Sequence, residues 1–373
     1  MRNPRTVLSL LLAAAVSGCG SSDAPILIGL AGPFSEQRGV SMQLGAELAV
    51  AEINDMGGIR GRPLELVIED DSASTEVAVR VARELYGTPG LVAVVGHLNS
   101  GATIAAAPIY NGGSRPVVQI SPSASSPQVT EVGPYTFRVC PSDLVHGARL
   151  AEWAWEEVGA RTAAVLYQND AYGRGVRTTF QQSFEALGGA VVSEDPFVAT
   201  LPTFEPYLLR LSRRGGADAV MIAGTRAGAE RIIATLDSLG VSYPVLGGDG
   251  LSGIESSDVD ATGVLISSAY LPDRISPRNE AFVAAYQAAF GDVRPDHRGA
   301  GAYDAVHLLA RVIDEVGPDR RRIQRYLATV GTESAPFQGV TGVIAFDENG
   351  DVPDKEVVIG VVQGGRIVTA VRQ

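Results

Sequence analysis

Cysteine, lysine and histidine are all scarce in this 373-residue sequence, and their scarcity excludes several kinds of chemistry. Cys19 and Cys140 are the two cysteines, so an internal disulfide is impossible if Cys19 is modified. We expect Cys140, in an apolar stretch, to be a small buried hydrophobe, with a reactive thiol as the open alternative. Lys355 is the sole lysine and stands in a charged segment that we expect to be exposed, which argues against a Schiff-base role.

Sequence motifs of catalysis and cofactor binding are missing as well. There is no Gly-x-Ser-x-Gly elbow, no phosphate-binding Gly-Lys-Ser/Thr loop and no Cys-x-x-Cys pair. Residues 347–351 have a glycine at the wrong offset for a calcium loop and are typical of a turn. Histidines that are never four residues apart disfavour a zinc site: His97, His146, His297 and His307. We therefore predict no cofactor, no metal and no catalytic residue, against the alternative of a hydrolase or sugar-processing enzyme.

The charge balance argues against nucleic-acid partners. The chain carries 30 basic and 42 acidic residues. If Arg2 and Arg5 are removed with a leader peptide, 28 basic residues face 42 acidic ones and the net charge is near −14. Binding to phosphate backbones requires the opposite sign.

The N-terminus has the pattern of an export signal. Arg2 and Arg5 precede an apolar run over 7–16, which is too short to span a bilayer. The small residues 16–18 then lead into Cys19, an ending that resembles the bacterial lipobox. We predict a lipoprotein signal peptide over 1–18, lipid attachment at Cys19 and a polar tether over 19–25, with an ordinary cleaved signal as the alternative. The protein is then exported and anchored to a membrane.

Short apolar runs alternate with amphipathic segments along the rest of the chain, and the pattern restarts near residue 141. This alternation predicts an α/β fold with parallel sheets in two Rossmann-like lobes. The late helices lack an intervening strand, so we expect them to return to the first lobe. The predicted division is 26–140 plus about 272–345 for lobe 1, and 141–271 plus about 346–373 for lobe 2. Ligands of such sheets bind beyond the carboxyl ends of the strands.

Small hydroxylic residues follow two predicted strands of the first lobe, in segments 96–103 and 121–127. Hydroxyls and free backbone amides at a helix start can bind a carboxylate. The alternative is that Asn99 or Ser100 only caps its helix and that the second segment is an ordinary loop.

Several segments taken together resemble the branched-chain amino-acid binding proteins, the leucine/isoleucine/valine-type periplasmic receptors of ABC transporters. These segments span the mature chain in order: 29–33, 45–54, 57–61, 70–72, 95–98, 120–124, 170–175 and 346–351. The resemblance implies a monomeric type I periplasmic binding protein whose two lobes, joined by a multi-crossover hinge, close on an amino acid or related small carboxylate. An ABC permease would be its partner, and a sensor of the same fold is the alternative.

The resemblance also implies roles for individual residues. Ser100 would bind the ligand carboxylate, with the backbone of Ser123 beside it. Ser125 takes the place of a threonine that helps bind the α-ammonium, and Asp249 takes that of an acidic residue paired with it. Tyr172 would close over the ligand from the second lobe.

Departures from the family pattern concern the ligand side chain. A disulfide typical of the leucine-type receptors is replaced by Ala73 and Asn99. Arg38 and Thr225 stand where the family has aromatic residues that meet the ligand, and Arg298 aligns near an apolar wall position. Because a buried unpaired charge is costly, we hypothesise a ligand that is more polar than leucine. One such ligand would carry a second acidic group. Alternatively, each arginine lies at the rim of the binding cleft, in contact with solvent.

Overall fold

The computed structural model describes residues 24–372 and contains two α/β lobes, which confirms the predicted fold class. The predicted leader and Cys19 lie outside the described residues. The first lobe is built on β1 (Ile26–Gly32), α1 (Gln37–Asp55), β2 (Leu64–Asp70), α2 (Thr75–Gly87), β3 (Leu91–Gly96), α3 (Ser100–Asn111), β4 (Val118–Ser121) and β5 (Thr136–Arg138). Its five strands are parallel in the order β2-β1-β3-β4-β5.

The second lobe begins with α4 (Asp143–Glu156). It continues through β6 (Thr162–Gln168), α5 (Ala171–Ala186), β7 (Ala190–Phe197), α6 (Glu205–Arg213), β8 (Ala219–Ala223), α7 (Arg226–Ser238), β9 (Val245–Gly247) and β10 (Leu265–Ser268). A short 3-10 helix, Asp249–Leu251, follows β9. These strands are parallel in the order β10-β9-β8-β6-β7.

The remaining elements divide between the two lobes. They are α8 (Pro277–Phe290), α9 (His297–Val316), α10 (Arg320–Leu327), β11 (Phe337–Gly339), β12 (Gly342–Ile344), β13 (Val358–Gln363) and β14 (Arg366–Thr369). The apolar face of α9 shares a core with β1, β3 and α1 of the first lobe. β13 and β14 extend the second sheet through antiparallel pairing with β10. The chain therefore passes between the lobes three times within residues 24–372.

The strands form where apolar residues run without interruption. β3 is buried along its whole length, as expected for a strand covered by helices on both faces. α1 and α9 approach closely because Gly45 faces the backbone of Gly299, and a β-carbon on Gly45 would overlap the Gly299 carbonyl group. This close contact brings the first turn of α9 toward the cleft.

Two sequence-based expectations are wrong. The sequence pattern predicts a loop over 32–39 and a helix from about Ser41, but helix α1 begins at Gln37, so Arg38 lies in its first turn. Lys355 is buried, with only 4% of its surface exposed. Its Nζ donates to Thr341 Oγ1 at 2.6 Å, beside the buried carboxylate of Asp304. The charged segment folds inward because Asp304 supplies a partner that the local sequence does not reveal.

Candidate functional site

A cavity of about 140 Å³ lies between the lobes, at the carboxyl ends of their strands. The residues that line it directly follow strands of both sheets or come from the first turns of α1 and α9. They are Arg38, Ala73, Thr75, Leu98, Asn99, Ser100, Gly101, Ala102, Ser123, Asp170, Tyr172, Thr225, Asp249, Gly250 and Arg298. A cavity near 150 Å³ accommodates a molecule about the size of benzene, so this space suits a ligand with the dimensions of an amino acid.

The first-lobe wall is formed by the start of α3. Asn99 occupies the N-cap position, but its side chain makes no capping hydrogen bond. The Ser100 hydroxyl accepts from the backbone N–H of Ser126 at 3.2 Å and is buried at the cavity. An anion placed here meets backbone amides that no cap uses and the positive end of the helix dipole.

A buried hydrogen-bond network, which the sequence analysis missed, positions this wall. His97 Nδ1 lies 2.7 Å from Asp71 Oδ2, and the Tyr110 hydroxyl lies 3.3 Å from His97 Nε2. Asp71 also accepts from the backbone N–H of Ala73, which has a positive φ of 55°. The hydrogen bond between Asp71 and His97 thus joins the loops after β2 and β3, and both loops line the cavity.

The second-lobe wall presents the carboxylate of Asp249. Tyr172 donates its hydroxyl hydrogen to Asp249 Oδ1 at 2.8 Å and accepts from the backbone N–H of Gly250 at 2.8 Å. A β-carbon at Gly248 or Gly250 would overlap the Tyr172 ring or hydroxyl, which explains the glycines on either side of Asp249. Asp249 Oδ2 makes no hydrogen bond within the described residues.

The environment of Asp249 keeps it ionised. Burial by itself raises the pKa of the carboxyl, but His146 and His297, which are protonated at acid pH, and Arg298 hold this pKa below its usual value. His297 Nε2 lies 3.4 Å from Asp249 Oδ2. Burial, reinforced by Arg298, lowers the pKa of His297 to about 4, so the imidazole is neutral at pH 7. The free carboxylate oxygen therefore has no cationic imidazole beside it at neutral pH.

Both arginines at the cavity already have carboxylate partners. Arg38 Nε donates to Glu36 at 2.7 Å, and Arg298 Nη1 donates to Asp296 at 2.8 Å. Arg298 Nη2 also donates to the Asp249 carbonyl at 3.1 Å, which ties α9 to the opposite lobe. These pairs leave the cavity without surplus positive charge.

The structure brings six of the seven predicted ligand-binding residues to this one cavity: Arg38, Ser100, Ser123, Tyr172, Thr225 and Asp249. The Thr225 hydroxyl donates to Gln168 at 3.2 Å. Ser125 is fully buried behind the wall and does not line the cavity. Asp170 and Thr75 line it although the sequence analysis did not select them.

Within residues 24–372, no group of three or more histidine, cysteine or acidic side chains is arranged to hold a metal ion. No helix of the same range combines the length and apolarity needed to cross a membrane.

Comparison with known proteins places the chain in a family. A family model described as periplasmic binding protein matches residues 24–366. The Leu/Ile/Val-binding protein homolog 1 of Brucella abortus is 29% identical over 356 residues, which is 91% of each chain. An ABC transporter substrate-binding protein from Desulfitobacterium hafniense in complex with Leu is 32% identical, with a TM-score of 0.80 over 93% of this chain and 100% of that chain.

A second solved structure agrees with the first. The branched-chain amino acid transporter substrate-binding protein LivJ from Streptococcus pneumoniae, in complex with isoleucine, is 28% identical, with a TM-score of 0.82 over 93% of this chain and 100% of that chain. Both structures have the type I periplasmic binding protein fold that the sequence predicts here. Membership of the family implies an extracytoplasmic location. The chain belongs to the periplasmic binding protein family, as a substrate-binding protein of the branched-chain amino-acid ABC transporter type.

Proposed function

We propose that this protein captures a small amino acid with a polar side chain and delivers it to an ABC permease. The observation that carries the proposal is the presence of hydrogen-bond donors on one side of a cavity of about 140 Å³ and of a carboxylate on the other side. The start of α3 with Ser100 offers donors to a carboxylate, and Asp249 Oδ2 offers a free anionic acceptor to an ammonium.

Polar residues in the cavity lining favour polar ligands over leucine. Arg38, Thr75 and Thr225 line the cavity, and their polar groups do not replace the contacts of an aliphatic wall. Because Glu36 and Asp296 already neutralise the two arginines, an amide or hydroxyl side chain fits the charge balance better than a second carboxylate.

Delivery requires a mobile receptor close to the membrane. The three chain crossings between the lobes support a hinge, and ligand contacts from both lobes would favour the closed state. Lipid attachment at Cys19 would hold the receptor at the membrane, where a permease can receive the ligand.

A thermal-shift screen against leucine, threonine, glutamine and glutamate tests the ligand class. A ligand present at 100 times its Kd stabilises the folded state by about 2.7 kcal/mol, which raises the Tm by roughly 4 °C for a chain of this length. We expect the polar uncharged amino acids to give the largest shift. Tight leucine binding without a response to polar ligands contradicts the polar assignment.

A matched pair of variants tests whether Arg38 determines the preference for polar ligands over leucine. Arg38→Leu should weaken binding of polar ligands and strengthen binding of leucine, because it restores an apolar wall. Arg80→Leu, at an exposed position of α2 paired with Glu84, is the control and should leave the preference unchanged. Equal effects of the two substitutions would exclude Arg38 as a determinant of specificity.

A further inference from the structure

Helix α10 lies across the amino ends of three strands of the first lobe. The buried Arg320 guanidinium donates to the carbonyl of Leu91, at the start of β3, and to that of Arg115, before β4, at 2.7 and 3.0 Å. Gln324 donates to the carbonyl of Pro134, before β5, at 3.0 Å. Because the strands are parallel and the cavity lies at their carboxyl ends, α10 is at the end of the lobe opposite to the cavity.

This end of the lobe is basic, although the protein as a whole is acidic. The chain has 42 acidic and 30 basic residues. In contrast, α10 with its N-cap and the loops 87–90, 112–117 and 127–135 contain five basic residues and two acidic ones: Arg115, Arg320, Arg321, Arg322, Arg325, Glu131 and Asp319. The Asp319 carboxylate is engaged in capping α10, since it accepts from the backbone N–H groups of Arg321 and Arg322.

Four of these arginines are exposed, and we call them the arginine face. They are Arg115, Arg321, Arg322 and Arg325. None of them pairs with a carboxylate among residues 24–372, and the Arg321 guanidinium donates only to the carbonyl of Ser114. Burial and the like charge of Arg115 lower the pKa of Arg320, which shows that positive charges lie close together here. The face therefore offers unpaired guanidinium groups to an anionic partner.

The described residues begin at the same end of the lobe. Arg62 Nε donates to the carbonyl of Ala24 at 2.8 Å, just before β1. β1 and β3 are adjacent parallel strands with Leu27 opposite Leu91, the residue whose carbonyl accepts from Arg320. Neighbouring strands lie about 4.8 Å apart, so Ala24 and the start of α10 lie near each other at this end of the sheet.

Five residues, 19–23, connect this end to the predicted lipid attachment site. An extended chain spans at most about 3.5 Å per residue, so Cys19 can lie no more than about 18 Å from Ala24. A lipid on Cys19 therefore brings the amino ends of the first-lobe strands close to the bilayer, together with the arginine face. Attraction to charged headgroups acts within a Debye length of about 8 Å at physiological salt.

We propose that the arginine face docks the first lobe on the anionic phospholipid headgroups of a membrane. Guanidinium groups match phosphate oxygens in charge and in geometry. An acidic protein surface would offer the same charge, but the position of the N-terminus favours the bilayer. The inference uses no residue of the cavity and goes beyond the proposed capture function, while the approach to the membrane rests on the lipid attachment proposed above.

Docking through this face leaves the cleft accessible. β3 has six residues and spans about 20 Å between its amino end at α10 and its carboxyl end at the cavity. The second lobe lies beyond the cavity, so it can move relative to a docked first lobe as the cleft opens and closes. An anionic surface repels a chain that is acidic elsewhere, which favours this one orientation.

Sedimentation with sucrose-loaded vesicles tests the proposal. The protein consists of residues 20–373, which retain every described residue of both lobes and omit the leader and Cys19, so that no lipid assists binding. The vesicles contain either equal parts of phosphatidylcholine and phosphatidylglycerol or phosphatidylcholine alone. We expect binding to the anionic vesicles only, and its loss when about 1 M salt shortens the Debye length to about 3 Å.

A matched pair of triple variants assigns the binding to the arginine face. The first variant combines Arg115→Gln, Arg322→Gln and Arg325→Gln. It should bind anionic vesicles on the order of 100-fold more weakly, because each basic residue near an anionic surface strengthens binding about fivefold. The control makes the same change in net charge at exposed positions of the second lobe, with Arg213→Gln, Arg214→Gln and Arg366→Gln, and should bind as the wild type does. Thermal unfolding at the wild-type temperature verifies that both variants fold.

The possible failures are distinguishable. No binding to the anionic vesicles, equal binding to phosphatidylcholine, or equal losses in the two triple variants overturns the proposal. Self-association in place of vesicle binding, lost only in the first variant, assigns the face to a second copy of the chain and overturns the proposal as well. Stabilisation by amino acids in the thermal-shift screen does not depend on these results, so the capture function stands or fails separately.

Discussion

Two buried groups give the protein an unusual response to alkaline pH, with opposite signs. Lys355 and Cys140 both titrate between pH 8 and 10 in either the folded or the unfolded chain. Substituting one of them at a time should separate two effects that oppose each other in the wild type.

Lys355 stabilises the fold as the pH rises. Burial lowers its pKa from 10.5 to about 8, although the neighbouring Asp304 opposes the shift. Between these values the unfolded chain holds a proton that the folded protein has released, so stability increases with pH. Each unit of difference between the two pKa values corresponds to about 1.4 kcal/mol. Lys355 is already partly deprotonated in the folded protein at pH 8 and begins to lose its proton in the unfolded chain near pH 10, so the expected gain in stability from pH 8 to 10 is about 2 kcal/mol.

Cys140 acts in the other direction. Burial raises the pKa of its thiol far above the ordinary value of about 9. The folded protein therefore keeps a proton that the unfolded chain loses, and stability falls as the pH rises through 9. The expected loss between pH 8 and 10 is about 1 kcal/mol.

Urea denaturation at pH 8, 9 and 10 under reducing conditions measures both effects. Relative to the wild type between pH 8 and 10, Cys140→Ala should gain about 1 kcal/mol of stability and Lys355→Met should lose about 2 kcal/mol. The comparison with the wild type removes the contribution of the buried tyrosines, including Tyr110 and Tyr303, whose raised pKa lowers stability as the pH approaches 10. Equal pH profiles for Lys355→Met and the wild type would refute the assignment of a neutral, buried Lys355 in this range.

Two further substitutions test how packing and hydrogen bonding support the cavity. Gly45→Ala should destabilise the fold by about 2 kcal/mol and weaken ligand binding, because the added methyl group pushes against Gly299 next to the cavity. Gly87→Ala, whose β-carbon meets nothing within 4 Å, is the control, and equal denaturation midpoints for the two variants would contradict the steric explanation. Asp71→Asn replaces the carboxyl group that hydrogen-bonds to His97 and should cost about 1.5–3 kcal/mol of stability, with weaker ligand binding measured by calorimetry. Unchanged affinity in that variant would show that this hydrogen bond does not position the cavity wall.

The sequence predicted the fold class because the signals for it are local. Uninterrupted apolar runs such as β3 and the helical spacing of α2, with Ser74 as its capping residue, repeat along the chain. The same alternation predicted that polar strand ends meet at a cleft, and the family resemblance selected the individual residues, six of which line the cavity. The three-residue strands β5 and β11 were missed because runs this short carry little periodic pattern.

Only the tertiary structure determined which distant residues meet. The pairing of Asp71 with His97, the burial of Lys355 against Thr341 and the placement of Asp143 near Asp249 join residues that no local pattern links. Burial then raises the pKa of Asp143 and lowers that of Lys355, since the loss of water disfavours the charged form of each group. The sequence alone determined two α/β lobes with polar strand ends facing a cleft. The three-dimensional packing of those lobes decided which polar groups are paired and which remain free to meet a ligand.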